Sequence, residues 1–186
     1  MADSNITKKA LAAALKELMQ EIAFDKITVG HICNKCEMNR KSFYYHFKDK
    51  YDLVNWIYYT EFIGTIKEKD YKDGFAFMLD VCKYLEQNKR FYCKVFKYDG
   101  QNSFFDYFRE LLIPAVEKYT HDIFEDDENT DFYVSFFSEA FLNAIKKWLL
   151  DSKNIPAENF ISLIRSCIYG TAQKVVNDIS QSTNQP

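Results

Sequence analysis

The run Ile27-Thr28-Val29-Gly30-His31-Ile32-Cys33-Asn34-Lys35-Cys36-Glu37-Met38-Asn39-Arg40-Lys41-Ser42-Phe43-Tyr44-Tyr45-His46-Phe47-Lys48-Asp49-Lys50 decides the fold. Thr28 is a good N-cap, and Val29, Ile32, Cys33 and Cys36 after it share one face of a helix. Glu37-Met38-Asn39 leaves room only for a tight inter-helix turn. Asn39 caps the next helix, and Met38 and Phe43 flank that cap as a hydrophobic staple. Phe43 and Phe47, one turn apart, point inward. Arg40, Lys41, Ser42, Tyr44 and Tyr45 are left outward. Two short helices across a three-residue turn, the second anchored by apolar residues and basic, polar and aromatic outside, describe a helix-turn-helix. The spacing Cys33-x-x-Cys36 also occurs in zinc knuckles and redox sites. Zinc needs four ligands or an open catalytic site, and no second Cys/His pair of suitable spacing follows, so both cysteines are read as core residues and no metal is expected.

Working outward, Leu11, Ala14, Leu15, Leu18 and Ile22 form one apolar stripe on a helix expected over about 7–23, with a turn at Phe24–Ile27. Asp49 caps a longer helix to about Lys69. Further helices are expected at about 73–87, 89–98, 103–124, 131–152 and 156–179, with Asp73, Ser103 and Asp131 as caps, Pro156 in a first turn and Pro114 kinking the helix around it. Glu125-Asp126-Asp127-Glu128 reads as a solvated loop. Five glycines and three prolines in 186 residues leave little for hairpin turns. The expected fold is therefore all-α, about nine helices, with a helix-turn-helix domain over residues 1–48 and a helical domain over 49–186.

Net charge is −3, but it is unevenly spread. Residues 1–60 hold nine lysines and arginines against seven carboxylates, and residues 61–186 hold fifteen against twenty. The field that suits phosphate lies at the N-terminal end.

Ile27 to Cys33 and Asn39 to Lys50 together resemble the DNA-binding signature of the TetR family of transcriptional regulators. The Tyr44-Tyr45-His46-Phe47 run and the lysine opening the next helix carry the likeness, which covers about residues 7–57. Two residues depart from the family pattern. Glu37 stands where glycine is usual, and Cys36 where alanine is usual. A non-glycine residue of positive φ in the turn costs on the order of 1 kcal/mol. The resemblance implies that the second helix enters the major groove of double-stranded DNA with its N-terminal residues at base edges. Arg40 and Lys41 are the expected base contacts, Arg40 suiting guanine O6 and N7, with Asn39 and Ser42 adding hydrogen bonds. Tyr44 and His46 match family positions that contact phosphate. Thr28 and Lys50, at helix starts, are expected on phosphate too. Tyr45 either binds phosphate or packs on the first helix, and His31 has no role beyond a phosphate contact.

The C-terminal part is rich in aromatics, with 17 Phe and 13 Tyr in the chain. They either fill the core or line an effector cavity of the kind the resemblance implies. The last two expected helices are apolar on more than one side. This points to a homodimer interface that includes Phe137, Phe141, Trp148, Ile164, Ile168 and Val175, where the family dimerises. Phe132, Phe136 and Leu163 belong to the same faces, and Ser166, Gly170 and Ala172 allow close approach. The signature and Tyr51, Asp52, Leu53 and Trp56 most resemble the branch of regulators of dihydroxyacetone kinase operons, in which a partner protein replaces a small-molecule effector in some members. No phosphate loop, catalytic triad or metal cluster is present in the sequence, so an enzyme and a cofactor are not expected. No apolar run reaches about 18 residues and no signal peptide is seen, so a cytoplasmic protein with no membrane partner is expected.

Overall fold

The computed structural model describes residues 2–98, 103–120, 129–153 and 155–183, and their regular structure is entirely helical. The helices are α1 (Ala2–Glu21), α2 (Val29–Lys35), α3 (Arg40–His46), α4 (from Lys50), α5 (Gly74–Gln87), α6 (Lys89–Phe96), α7 (Phe104–Thr120), α8 (Thr130–Leu150) and α9 (Ala157–Thr183). A 3-10 turn, Phe24–Lys26, joins α1 to α2. Helix α4 is α-helical over Lys50–Tyr58, opens into a π-turn over Tyr59–Ile63 and closes as α-helix over Gly64–Ile66. The segment Glu125 to Glu128, read as a solvated loop, lies outside the described residues.

Caps account for most of the starts. Asn39 accepts the Ser42 N–H at 2.8 Å, Asp49 those of Tyr51 and Asp52 at 2.8 Å, and Asp73 that of Ala76 at 2.8 Å. Ser103 Oγ accepts the Asp106 N–H ahead of α7. Two helix starts differ from expectation. Helix α1 begins at Ala2, because its apolar stripe starts only at Leu11 and says nothing of the preceding turns. Helix α8 is preceded by Asn129, with no side-chain cap bond, and Asp131 falls inside its first turn.

A single core runs through the molecule. Leu11 and Leu15 of α1, Ile32 of α2, Phe43 of α3 and Leu53, Val54 and Ile57 of α4 join Val81, Leu85, Phe96, Phe108 and Leu149 in it. Helices α1, α2 and α3 pack on one another, α7 on α8, and α9 on α5. Between α4, α5, α6 and α7 the interior is filled by rings in mutual contact: Tyr58, Tyr84, Tyr92, Phe104 and Phe108. Two shallow depressions lie outside this core. One runs along the outer face of α8 past Phe132, Phe136 and Asn143, and the other lies between α7 and α8.

Polar contacts also tie the helix-turn-helix to the rest. The α1 C-terminus has no basic residue of its own. Lys94 and Arg90 of α6 supply the donors, to the Met19 carbonyl at 2.6 Å, Ile22 at 3.3 Å and Gln20 at 2.9 Å. Glu61, in the π-turn, pairs with Lys16 of α1 at 2.5 Å and accepts the Tyr84 hydroxyl at 3.2 Å.

One residue of the expected dimer face is covered by its own chain. Trp148 is buried in its own chain, stacked on Phe160 at 4.9 Å, with its indole N–H donating to the Ile155 carbonyl at 2.7 Å. Phe141 and Ile164 are half-buried against the same core, and Phe137 and Ile168 are also half-buried. The Val175 and Ala172 side chains lie outside the described residues. The apolar groups left in solvent are Phe132 and Phe136 on α8 and Leu163 and Tyr169 on α9, each more than half exposed.

Candidate nucleic-acid interface

Helix α3 is held from inside. Phe43 is fully buried and Phe47 nearly so, their ring centroids 5.8 Å apart, and Phe47 meets Trp56 of α4 edge-on. With that face fixed, Arg40, Lys41, Tyr44 and Tyr45 stand in solvent. Tyr44 is 58% exposed and Tyr45 83%, so Tyr45 does not pack on α1. His46 is half-buried, edge-on to Tyr45 at 4.9 Å. No acceptor or carboxylate among the described residues holds the Arg40 guanidinium, which keeps its planar fork of donors open.

The turn before α3 closes by backbone bonds. The Glu37 N–H donates to the Asn34 carbonyl at 3.4 Å and the Met38 N–H to the Cys33 carbonyl at 2.9 Å. Together these make a Schellman closure of α2, whose C′ residue must be left-handed. Glu37 occupies it with φ 56°. A non-glycine residue at this left-handed position places strain in the turn. Cys33 is buried and Cys36 half-buried, with Cys36 Sγ donating to the Ile32 carbonyl at 3.3 Å. Burial pushes both thiols above the ordinary range.

At the α2 start, Thr28 and His31 form a reciprocal capping box. His31 N–H donates to Thr28 Oγ1 at 3.2 Å, and Thr28 N–H to His31 Nδ1 at 3.3 Å. His31 therefore has a structural role that the sequence reading did not give it, although its place three residues after Thr28 was the available signal. The Thr28 hydroxyl hydrogen remains a donor.

Lys50 departs from expectation. Its ammonium turns inward and donates to the carbonyls of Phe24 at 2.7 Å, Ile27 at 2.7 Å and Asp25 at 3.2 Å, while lying 4.7 Å from the Phe24 ring. Burial lowers its pKa, opposed by the nearby Asp25 and Asp49. With three donors spent on three carbonyls, the side chain closes the turn between α1 and α2.

Residues 10–57 match the model of bacterial regulatory proteins of the tetR family, and residues 73–170 match that of a transcriptional regulator C-terminal region. The chain is 31% identical over 143 residues to the HTH-type dhaKLM operon transcriptional activator DhaS of Lactococcus lactis subsp. lactis (strain IL1403), covering 76% of this chain and 74% of that protein. Two solved structures share its fold. A dihydroxyacetone kinase operon activator DhaS superposes with a TM-score of 0.66 at 24% identity, over 89% of this chain and 96% of that one. A TetR transcriptional regulator from Streptococcus agalactiae 2603V gives 0.69 at 23% identity, over 87% and 93%. These relatives are regulators of transcription and not enzymes, and no helix among the described residues is long and apolar enough to cross a membrane. A helix-turn-helix with an outward basic and phenolic face, set on a helical C-terminal region that matches the regulators' own, makes this chain a member of the TetR family of transcriptional regulators.

Proposed function

We propose that the chain binds a near-palindromic operator as a cytoplasmic homodimer. In this reading residues 1–48 read the DNA, and residues 49–186 dimerise and receive the controlling signal. The observation that carries it is the outward face of α3, with an Arg40 guanidinium unpartnered among the described residues beside Lys41, Tyr44 and Tyr45 on a helix anchored by Phe43 and Phe47. Arg40 and Lys41 reach base edges, supported by Asn39 and Ser42, while Tyr44, Tyr45, His46 and the Thr28 hydroxyl take phosphates. Two such helices across a two-fold axis read half-sites about 34–36 Å apart, or a multiple of that. The dimer buries Phe132, Phe136, Leu163 and Tyr169. Gly170, where an added Cβ would meet nothing within 4 Å of its own chain, lets the helices approach closely.

In vitro selection of duplexes bound by the purified protein tests this reading. A two-fold-symmetric sequence supports it, and indifference to every duplex at low ionic strength refutes it.

By likeness to DhaS, the target is an operon of dihydroxyacetone kinase type. The ring-filled interior between α4 and α7 favours a partner protein acting from the surface over a small molecule held inside.

A further inference from the structure

Gly30 is the second residue of α2, and nothing in the backbone calls for glycine there. Among the described residues no glycine has positive φ. Glycine is also the poorest helix former after proline, so at this place it weakens a helix of only seven residues. The space above it explains its presence. A Cβ at residue 30 would lie 2.7 Å from Arg40 Nη2 and 3.4 Å from both Arg40 Cζ and Nε, and these are the three nearest atoms it would meet. The guanidinium of the first residue of α3 thus rests on bare backbone of α2, ten residues earlier in the chain. It is close enough to pull the Cys33 thiol downward against the larger effect of burial.

We infer that Gly30 is a positioning residue for base recognition: by lacking a side chain it sets where the Arg40 guanidinium lies, and so which base edge that guanidinium reads. This rests on the DNA-binding reading above. A methyl group at residue 30 would push Nη2 from 2.7 Å out to the roughly 3.4 Å of an ordinary contact. The guanidinium is the far end of a flexible side chain, so the fold yields easily and the recognition geometry does not. A bidentate contact to guanine O6 and N7 tolerates displacements of only about 0.5 Å. The same methyl group improves the α2 helix. Stability and base preference therefore move in opposite directions, which separates positioning from packing.

The test compares the wild-type chain with G30A, R40A and the G30A/R40A double variant, by selection of bound duplexes, titration of single-base variants of the selected site, and thermal melting. R40A is expected to lose preference at one base position in each half-site. G30A should lose at least about tenfold in discrimination at that same position and keep it elsewhere, with a melting temperature equal to or above wild type. Adding G30A to R40A should change nothing further. A wild-type protein that binds no duplex overturns the DNA-binding reading beneath the inference. If wild type binds selectively, four results each overturn the inference itself. These are unaltered discrimination by G30A, a uniform loss across all sequences from the methyl striking the phosphate backbone, an equal loss when R40A is already present, and a lowered melting temperature.

Discussion

Replacing Lys50 by methionine keeps the aliphatic stem beside Phe24 and Tyr51 and removes only the ammonium. The three carbonyls it serves differ in what they lose. Phe24 O still accepts the Ile27 N–H at 3.2 Å, and Asp25 O faces water. Ile27 O, bonded at 2.7 Å and partly buried, loses a charge-assisted bond worth about 1.5–3 kcal/mol. The ammonium over the Phe24 ring adds about 0.5–1 kcal/mol. Relief of the burial that lowers the lysine pKa offsets part of this, leaving a net loss of about 2 kcal/mol. With a urea m-value of about 2 kcal/mol/M, the unfolding midpoint at fixed protomer concentration should fall by about 1 M. The plot of log affinity for DNA against log salt should keep its slope, because no phosphate contact is lost. An unchanged midpoint together with a slope shallower by about one for each Lys50 in the complex would refute this reasoning and return Lys50 to the phosphates.

Other substitutions follow the same logic. Glu37→Gly removes a side chain from the left-handed position at φ 56° and an acidic group from the C-terminus of α2. It should stabilise the chain by about 0.5–1 kcal/mol in denaturant titration. Lys41→Ala should weaken binding to operator and make the salt plot shallower, with an unaltered melting temperature, since Lys41 is exposed. Phe136→Glu places a charge in the exposed apolar face of α8 and should shift the protein to monomers in sedimentation velocity, at little cost to helix content by circular dichroism. Asp80 is subject to burial, which raises its pKa, and to the stronger opposing hold of Lys69 Nζ and Tyr71 Oη, each at 2.8 Å; its carboxyl ends below the ordinary range. Its stabilising effect is complete above the unfolded pKa, about 4, and is lost as pH falls through the lower folded value. Asp80→Asn should lower stability at pH 7 and flatten the loss measured by denaturation below about pH 4.

Legibility followed the range of the interactions. The helix-turn-helix is encoded by neighbours: Thr28, Asn39 and Asp49 each cap a residue two or three positions ahead, and Phe43 and Phe47 mark their own inner face. The inward turn of Lys50 has no such signal, because its partners are backbone carbonyls 23 to 26 residues earlier, and a carbonyl has no letter in the sequence. The burial of Trp148 is hidden for a related reason. Helical spacing shows that a helix has two apolar faces without showing which one its own chain covers, and Phe160 and the Ile155 carbonyl cover this one. The π-turn had no signal, since Tyr59-Thr60-Glu61-Phe62-Ile63 contains neither glycine nor proline.

The cations that α6 lends to the end of α1 bear on how the molecule melts. Met19, Gln20 and Ile22 present carbonyls that find no basic group in their own last turn, and Arg90 and Lys94 lie some seventy residues downstream. Cutting the chain after the recognition helix would strip those donors and also remove Leu53, Val54 and Ile57 from beneath Leu11 and Leu15. The helix-turn-helix is thus autonomous in chemistry but not in cooperativity. Heat or denaturant should take both parts apart in one transition.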